Sequence, residues 1–227
     1  MARARVFLAY PHYGPVVLAS ALAAAHASHA HDVMIWPSED SRLPHSFNKL
    51  WCAALNTRQA QGWTHFAMLH SDVAPVGLEW LDTLLAVMQA AAVQVLSCVI
   101  PVKDGSGLTS TGLYDWETKG VRCLTLREVA TLPPTFTVAD TNWPEQVLLV
   151  NTGCFVCDFT QPWVEQIVFR FHDEIFKDAQ GVFQARTLSE DWGLSIQWAR
   201  LGVAVAATRC VPLVHYGSQG YPNYDCT

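Results

Sequence analysis

The sequence lacks any uninterrupted apolar run of about 18 residues, the length a membrane-spanning helix requires. It also lacks a basic excess: 14 Lys and Arg stand against 20 Asp and Glu, a formal net charge of −6. That balance argues against a general nucleic-acid footprint, which usually shows as a basic domain, though a local basic patch stays open. Charge of either sign is scarce, at 15% of residues. No internal repeat and no linker divides the chain. The opening Met1-Ala2-Arg3-Ala4-Arg5-Val6-Phe7-Leu8 has the charged head of a signal peptide. Its apolar run stops at Pro11-His12 with no small-residue cleavage pattern, so it reads as a first strand. The seven cysteines are odd in number and spread from Cys52 to Cys226, which suits reduced thiols in a soluble protein of the cytoplasm, bacterial or viral-host. Cys154 and Cys157 have no second pair at zinc-site spacing, and in a strand they would point to opposite faces.

What is present is apolar and aromatic. Of 227 residues, 51% are hydrophobic, with nine Trp and ten Phe, enough for a substantial core in one large domain. Arg5–Tyr10, Val33–Trp36, Phe66–Leu69 and Val93–Ile100 read as buried strands. Between them lie helical segments at about Pro15–His29, Ser46–Gln61 and Leu78–Ala92. Leu18, Leu22 and Ala25 form an apolar stripe on the first helix, and Gly62 stops the second. This β-α-β-α-β-α-β order predicts an α/β fold with a mostly parallel sheet and helices on both faces. From Val102 to Gln146 the pattern dissolves into short candidate strands and turns punctuated by Gly and Pro. Val147–Val150 and Cys154–Phe159 resume strand character, and Pro162–Phe171 suggests a helix. His172–Thr187 reads as a polar, mobile run. Ser189 is a good N-cap for a helix opening with Glu190 and Asp191, whose charges suit its dipole. Gly202 ends that helix, and Val203–Ala207 and Val211–His215 close the chain as strands.

Three polar features interrupt the apolar framework at element ends: His70-Ser71-Asp72, Ser189-Glu190-Asp191-Trp192 and Val214-His215-Tyr216-Gly217. In open α/β sheets, ligands gather at the carboxyl ends of strands. Carboxylate and imidazole suit Mn²⁺, and carboxylate with water suits Mg²⁺. A separate carboxylate can take a proton from an attacking hydroxyl. Each feature alone has a plainer explanation. Asp72 can open a turn, Glu190 and Asp191 can serve the helix dipole, and His215 can be a hydrogen-bonded core histidine.

Their order along the chain resembles the GT-A class of nucleotide-sugar glycosyltransferases, especially the large inverting group sometimes called family two. Four stretches carry the resemblance: Ala9-Tyr10-Pro11-His12-Tyr13; Phe47-Asn48-Lys49-Leu50 with Gly62 to Asp72; Asn151-Thr152-Gly153-Cys154-Phe155-Val156; and Ser189-Glu190-Asp191-Trp192 with Leu201-Gly202-Val203 and the closing His215. The resemblance spans roughly residues 5 to 217. It implies a GT-A fold in a single domain, 1–227, with a Rossmann-like nucleotide-sugar-binding half at 1–100. A smaller acceptor-binding and catalytic half would follow at 101–227. It also implies metal-dependent, inverting transfer of a hexosyl or pentosyl group from a nucleotide-diphosphate sugar, UDP-linked by expectation, to an acceptor hydroxyl.

Carried over residue by residue, Asp72 and His215 would ligate Mn²⁺ or Mg²⁺. Asp191 would be the general base, with Glu190 orienting it or contacting the acceptor. Pro11, Tyr13, Asp40, Asn48 and Ser71 would border the nucleotide sugar, and Thr152, Gly153 and Trp192 the acceptor. His70 stands where the family usually has an acid. As a neutral ring it would either ligate the metal or contact the ribose, and it removes one negative charge from the site. The acceptor is left open among a glycan, a protein side chain and a hydroxymethylated pyrimidine in DNA, extruded into the cleft. Two rival functions remain. A nucleotidyltransferase would be expected to carry a Gly-rich basic loop after the first strand, but Pro11-His12-Tyr13-Gly14 contains no Lys or Arg. A catalytically silent nucleotide-sugar-binding module would bind donor without turnover.

Overall fold

The structure is a computed structural model describing residues 3–224. Met1, Ala2 and Cys226 lie outside the described residues. The first part of the chain alternates as its apolar pattern predicts. In order come β1 (Arg5–His12), α1 (Leu18–Ala25), β2 (Asp32–Glu39), α2 (Leu43–Gln61), β3 (His65–Leu69), β4 (Val73–Pro75), α3 (Trp80–Ala90) and β5 (Val95–Cys98). β1 pairs in parallel with both β2 and β3. Gly62 ends α2 in the left-handed region, at φ +66°, and its N–H reaches the Arg58 carbonyl. A residue with a side chain would be strained there, which is why glycine marks the stop.

Two expectations for this part are corrected. Leu18, Leu22 and Ala25 do not face the core: Leu18 is 73% and Leu22 51% exposed, and the buried residues of α1 are Ser20, Ala23 and Ala24. The cause is close approach. The Trp80 indole N–H donates to the Ala23 carbonyl at 2.8 Å, and Ala23 and Ala24 share a buried cluster with Trp80. The second correction is β2, expected to be buried. It lies at the edge of the sheet, with Met34 and Ile35 exposed.

The rest comprises β6 (Leu108–Tyr114), β7 (Val121–Thr125), α4 (Leu126–Thr131), β8 (Thr135–Phe136), β9 (Val147–Leu149), β10 (Cys154–Asp158), β11 (His172–Lys177), β12 (Phe183–Leu188), α5 (Glu190–Arg200), β13 (Val205–Thr208), β14 (Leu213–Tyr216) and β15 (Gly220–Pro222). The segment without periodicity, 102–146, holds the hairpin β6–β7 and the helix α4. That helix opens on a capping box between Thr125 and Glu128. Pro162–Phe171 forms only a short 3₁₀ turn at Pro162–Gln166. The run 172–187, read as polar and mobile, is an antiparallel hairpin paired from His172↔Leu188 to Lys177↔Phe183. Cross-strand partners explain it: Arg186 pairs with Glu174 at 2.6 Å and Thr187 donates to Asp173 at 2.6 Å. Asp178 accepts from the N–H groups of Gln180 and Val182 to fold the tip.

Seven strands form the central sheet in the order β2-β1-β3-β10-β5-β13-β8. β10 enters antiparallel between β3 and β5, and β13 runs parallel to β5. Both the 1–100 and the 101–227 portions therefore supply strands to one sheet. Helices α1 and α3 pack on one face and α2 and α5 on the other. The alternation of β10 divides its side chains between the faces: Cys154 and Val156 join Trp80 and Leu81, while Phe155 and Cys157 join Trp51 and Trp198. Cys154 and Cys157 thus point apart, as their spacing in a strand requires. No helix among the described residues is long and apolar enough to cross a membrane.

Candidate functional site

β3 ends at Leu69, and His70-Ser71-Asp72 turns the chain into the short strand β4. The His70 N–H donates to the Gly153 carbonyl at 2.8 Å, and the Val73 N–H closes the turn on the His70 carbonyl at 3.0 Å. Ser20 also donates to that carbonyl at 3.0 Å and receives the Tyr10 hydroxyl at 3.0 Å. β4 pairs antiparallel with β14 in a register that sets His215 opposite Val73, and the Tyr216 N–H donates to the Asp72 carbonyl. Two residues remote in sequence thereby meet. His215 Nε2 lies 3.5 Å from Asp72 Oδ2.

The His215 ring is oriented by its other nitrogen, which lies 2.8 Å from the Pro101 carbonyl oxygen. A carbonyl only accepts, so Nδ1 carries a hydrogen and Nε2 faces Asp72 either as a lone pair or as a second N–H. A lone pair beside a carboxylate, with the far nitrogen anchored on backbone, is the arrangement of a metal-ligating histidine. Among the described residues no three His, Cys, Asp or Glu side chains are grouped to hold a metal unaided. Asp72 and His215 supply two ligand types suited to a divalent ion, and any such ion would need its remaining ligands from outside these side chains.

A residue absent from the sequence-derived set completes this end. Lys103 Nζ donates to Asp72 Oδ2 at 2.6 Å. Its stem crosses Gly217, where a Cβ would sit 3.2 Å from Lys103 Cβ, so the glycine opens the path. The only available signal was positional, a cation just past the end of a core strand, at Ile100-Pro101-Val102-Lys103. Burial raises the Asp72 pKa, but hydrogen bonds from His215 and Lys103 hold it well below the usual carboxylate range. His70 differs again. Its ring packs against Phe47 with centroids 4.9 Å apart, Nε2 is buried without a partner, and burial pulls its pKa down to about 4. It is a neutral imidazole.

The second end is built on α5. Ser189 caps the helix by accepting the Trp192 N–H at 3.4 Å, and Glu190 and Asp191 follow, only 5% and 9% exposed. Asp191 Oδ2 accepts from Asn151 Nδ2 at 3.0 Å, and Oδ1 accepts from the Thr152 hydroxyl. No cation among the described residues pairs with them. Burial pushes the Asp191 carboxyl up to about 7, with the neighbouring Glu190 charge adding to the effect against the Thr152 hydrogen bonds. Burial also raises Glu190.

One turn joins the two ends. Asn151 and Thr152 donate to Asp191, the Gly153 N–H donates back to Asn151 Oδ1, and the Gly153 carbonyl receives His70. A Cβ on Gly153 would lie 2.6 Å from Asn151 Oδ1, 3.0 Å from Ile100 and 3.3 Å from Val73. Only glycine passes there. Asn151 belongs to the constellation with its neighbours, although its role was not singled out in the sequence.

The residues expected to border the nucleotide sugar are more dispersed. Pro11 lies within β1, opposite Ser38, while Tyr13 is exposed. The Ser71 backbone carbonyl fixes the loop before α1 by accepting the Val17 N–H at 3.2 Å. Asp40 pairs with Lys49 and Arg42, and hydrogen bonds from the Arg42 backbone and the Lys49 side chain hold its pKa down to about 2. Asn48 uses both ends of its amide on the Phe169 backbone, at 2.7 and 3.0 Å. It lines a cavity of about 590 Å³ with His45, Arg170 and Phe171. Trp192 donates its indole N–H to the Ser110 carbonyl at 2.9 Å and lines a different cavity, on the outer side of α5.

No protein-family model matches the sequence, and comparison with curated proteins gives no match. Among solved structures, protein A197 from STIV superposes with a TM-score of 0.54 at 14% identity, over 94% of this chain and 86% of that one. CMP:2-keto-3-deoxy-manno-octonic acid synthetase, complexed with CTP, gives 0.44 at 9% identity, over 90% and 89%. At 14% identity the first likeness is one of fold, and the second is too distant to carry an argument.

Proposed function

We propose that the protein transfers a sugar from a nucleotide-diphosphate sugar to an acceptor hydroxyl, with inversion at the anomeric carbon. The observation that carries this reading is the turn Asn151-Thr152-Gly153. It connects a charge-compensated carboxylate, Asp72, with one whose pKa burial raises, Asp191. At the Asp72 end, Lys103 offers an ammonium for a diphosphate oxygen, and Asp72 with His215 would hold Mn²⁺ or Mg²⁺. When bound, that ion would neutralise charge building on the departing diphosphate. At the other end, the Asp191 carboxylate takes the proton of the acceptor hydroxyl as its oxygen bonds to the anomeric carbon. The bond from that carbon to the diphosphate oxygen breaks, and the nucleoside diphosphate leaves with the electron pair. Asn151 and Thr152 hold the Asp191 carboxylate in place, and the nearby Glu190 charge raises its affinity for the proton. His70, neutral and packed on Phe47, contributes shape and an open ring nitrogen beside the cation-binding end. The donor is read as UDP-linked, and the acceptor as a glycan, a protein side chain or a modified DNA base.

A thermal-shift panel of nucleotide sugars, with and without Mn²⁺, tests the class, because a ligand that binds only the folded state raises the melting temperature. The expected result is a rise with a nucleotide sugar that is larger when Mn²⁺ is present. Absence of a shift with every donor would sink the reading. Release of pyrophosphate from a nucleoside triphosphate would move it to nucleotidyl transfer, and donor binding without transfer or hydrolysis to a silent binding module.

A further inference from the structure

A cavity of about 510 Å³ lies between the outer face of α5, the hairpin β11–β12 and the turn joining β6 to β7. From α5 it takes Trp192, Gly193, Ile196, Gln197 and Arg200. At about 3.6 residues per turn, these lie on the side of the helix away from Asp191. The cavity is therefore not the pocket of the proton-accepting carboxylate.

Its charge is anomalous for this chain. Lys119, Arg170, Arg186 and Arg200, four of only 14 Lys and Arg in a protein of net charge −6, line this one space. Arg186 is compensated by Glu174 and also donates to the Lys119 carbonyl at 3.1 Å. Arg170 and Arg200 form no ion pair among the described residues. Arg170 Nε donates to His172 Nε2 at 3.0 Å, and the Arg200 guanidinium lies over the Trp116 ring, 5.5 Å from its centroid. Because Nε2 accepts, His172 is the neutral tautomer with its hydrogen on Nδ1. Burial lowers its pKa, and the charges of Arg170 and Arg200 lower it further. Gly193 leaves the room: a Cβ there would stand 3.3 Å from His172 Cδ2 and 3.4 Å from the Arg170 carbonyl oxygen. Of the two acids, Glu174 is paired with Arg186, while Asp173 accepts only from the Thr187 hydroxyl and keeps its charge, so the lining holds four cations against two anions. Uncompensated guanidiniums gathered around one cavity repel each other unless an anion lies between them. The forked donors of arginine match phosphate oxygens in pairs.

We propose that this cavity binds the phosphate group of a ligand through Arg170, Arg200 and Lys119, on the side of α5 opposite Asp191. The group is supplied either by a small phosphate ester or by the backbone of a single nucleic-acid strand. The proposal stands whether or not the protein transfers sugar.

Calorimetric titration with inorganic phosphate, a nucleoside monophosphate and a short oligothymidylate tests it, on the wild type, Arg170→Gln/Arg200→Gln, Lys119→Gln and Lys103→Gln. The expected result is binding of at least one probe, weakened tenfold or more in the double variant and more mildly by Lys119→Gln. The arginine-dependent part of that binding persists in Lys103→Gln, which removes only a contact at the Asp72 end. Equal affinity for monophosphate and oligothymidylate assigns a small ester. Tighter oligothymidylate binding that falls steeply with salt assigns a strand. If none of the three probes binds, the proposal is overturned. The same holds if binding survives both the double arginine variant and Lys119→Gln, or if all of it is lost with Lys103→Gln instead. Should the double variant fail to melt cooperatively, Lys119→Gln decides.

Discussion

Asp72 and Asp191 are the same residue type at the ends of elements in one connected arrangement, yet their surroundings drive them in opposite directions. Asp72 meets Lys103 at 2.6 Å and the His215 ring at 3.5 Å, and its pKa lies far below that of a free carboxylate. Asp191 meets only neutral donors and a second acid, and its pKa is raised to about 7. What separates them is not hydrogen bonding, since both are bonded, but whether a positive charge accompanies them out of water. The first is suited to holding cations and the second to receiving a proton.

Replacing Asp191, the proposed base, should break this contrast most severely. Asp191→Asn is expected to lower turnover by about 10²- to 10⁴-fold, the usual weight of a general base, with donor affinity little changed. In the wild type, activity should fall as the pH drops through about 7, because the protonated carboxyl cannot accept. The same shift has a stability consequence of opposite sense to ordinary acid unfolding. The folded pKa exceeds the ordinary 3.8, so the native state binds the proton more tightly, and stability declines from about pH 4 to about pH 7. Melting curves across that range should flatten in Asp191→Asn; an unchanged slope would contradict the assignment.

Asp72→Asn addresses the other side. It removes a charge-assisted contact of about 1.5–3 kcal/mol and should weaken binding of a nucleoside diphosphate with Mn²⁺ by roughly 10- to 100-fold. If the weakening appears only in turnover and not in binding, Asp72 does not serve the diphosphate. The smallest effect is expected at the join. Gly153→Ala forces a methyl toward Asn151 and Ile100, a strain of about 1–3 kcal/mol. Each kcal/mol lowers the melting temperature by roughly 2–4 °C in a chain of this size. Both donor binding and turnover should decline together, because the turn serves both carboxylates. Loss of one without the other would show that the two ends act separately.

Much of the fold was legible because it is written in local periodicity. The β-α alternation up to β5, the Gly62 stop and the Ser189 cap all follow from short-range patterns. The errors share one cause. Leu18 and Leu22 form an apolar stripe, but close packing by Trp80 selects the Ser20 and Ala23 side of the helix. The hairpin 172–188 looked mobile because its cross-strand partners, Glu174 with Arg186 and Asp173 with Thr187, are invisible in a linear reading. At the site, Asp72, His215, Thr152 and Asp191 were singled out from the sequence, and the structure connects them through hydrogen bonds and strand register. Lys103 and the second cavity were not, since a cation gains meaning only from the charge it faces.

The sequence by itself determined which segments become strands and helices, and which polar residues stand at their ends. Those choices depend on propensity, capping and period over a few neighbouring residues. The tertiary structure alone decided that β10 enters antiparallel beside β3, that Lys103 reaches Asp72, and that Arg170 and Arg200 line one cavity without an ion pair among the described residues. It alone decided which of the two aspartates has its pKa lowered and which has it raised. Coulomb interaction and desolvation act through distance and burial, and the chain acquires both only when it folds.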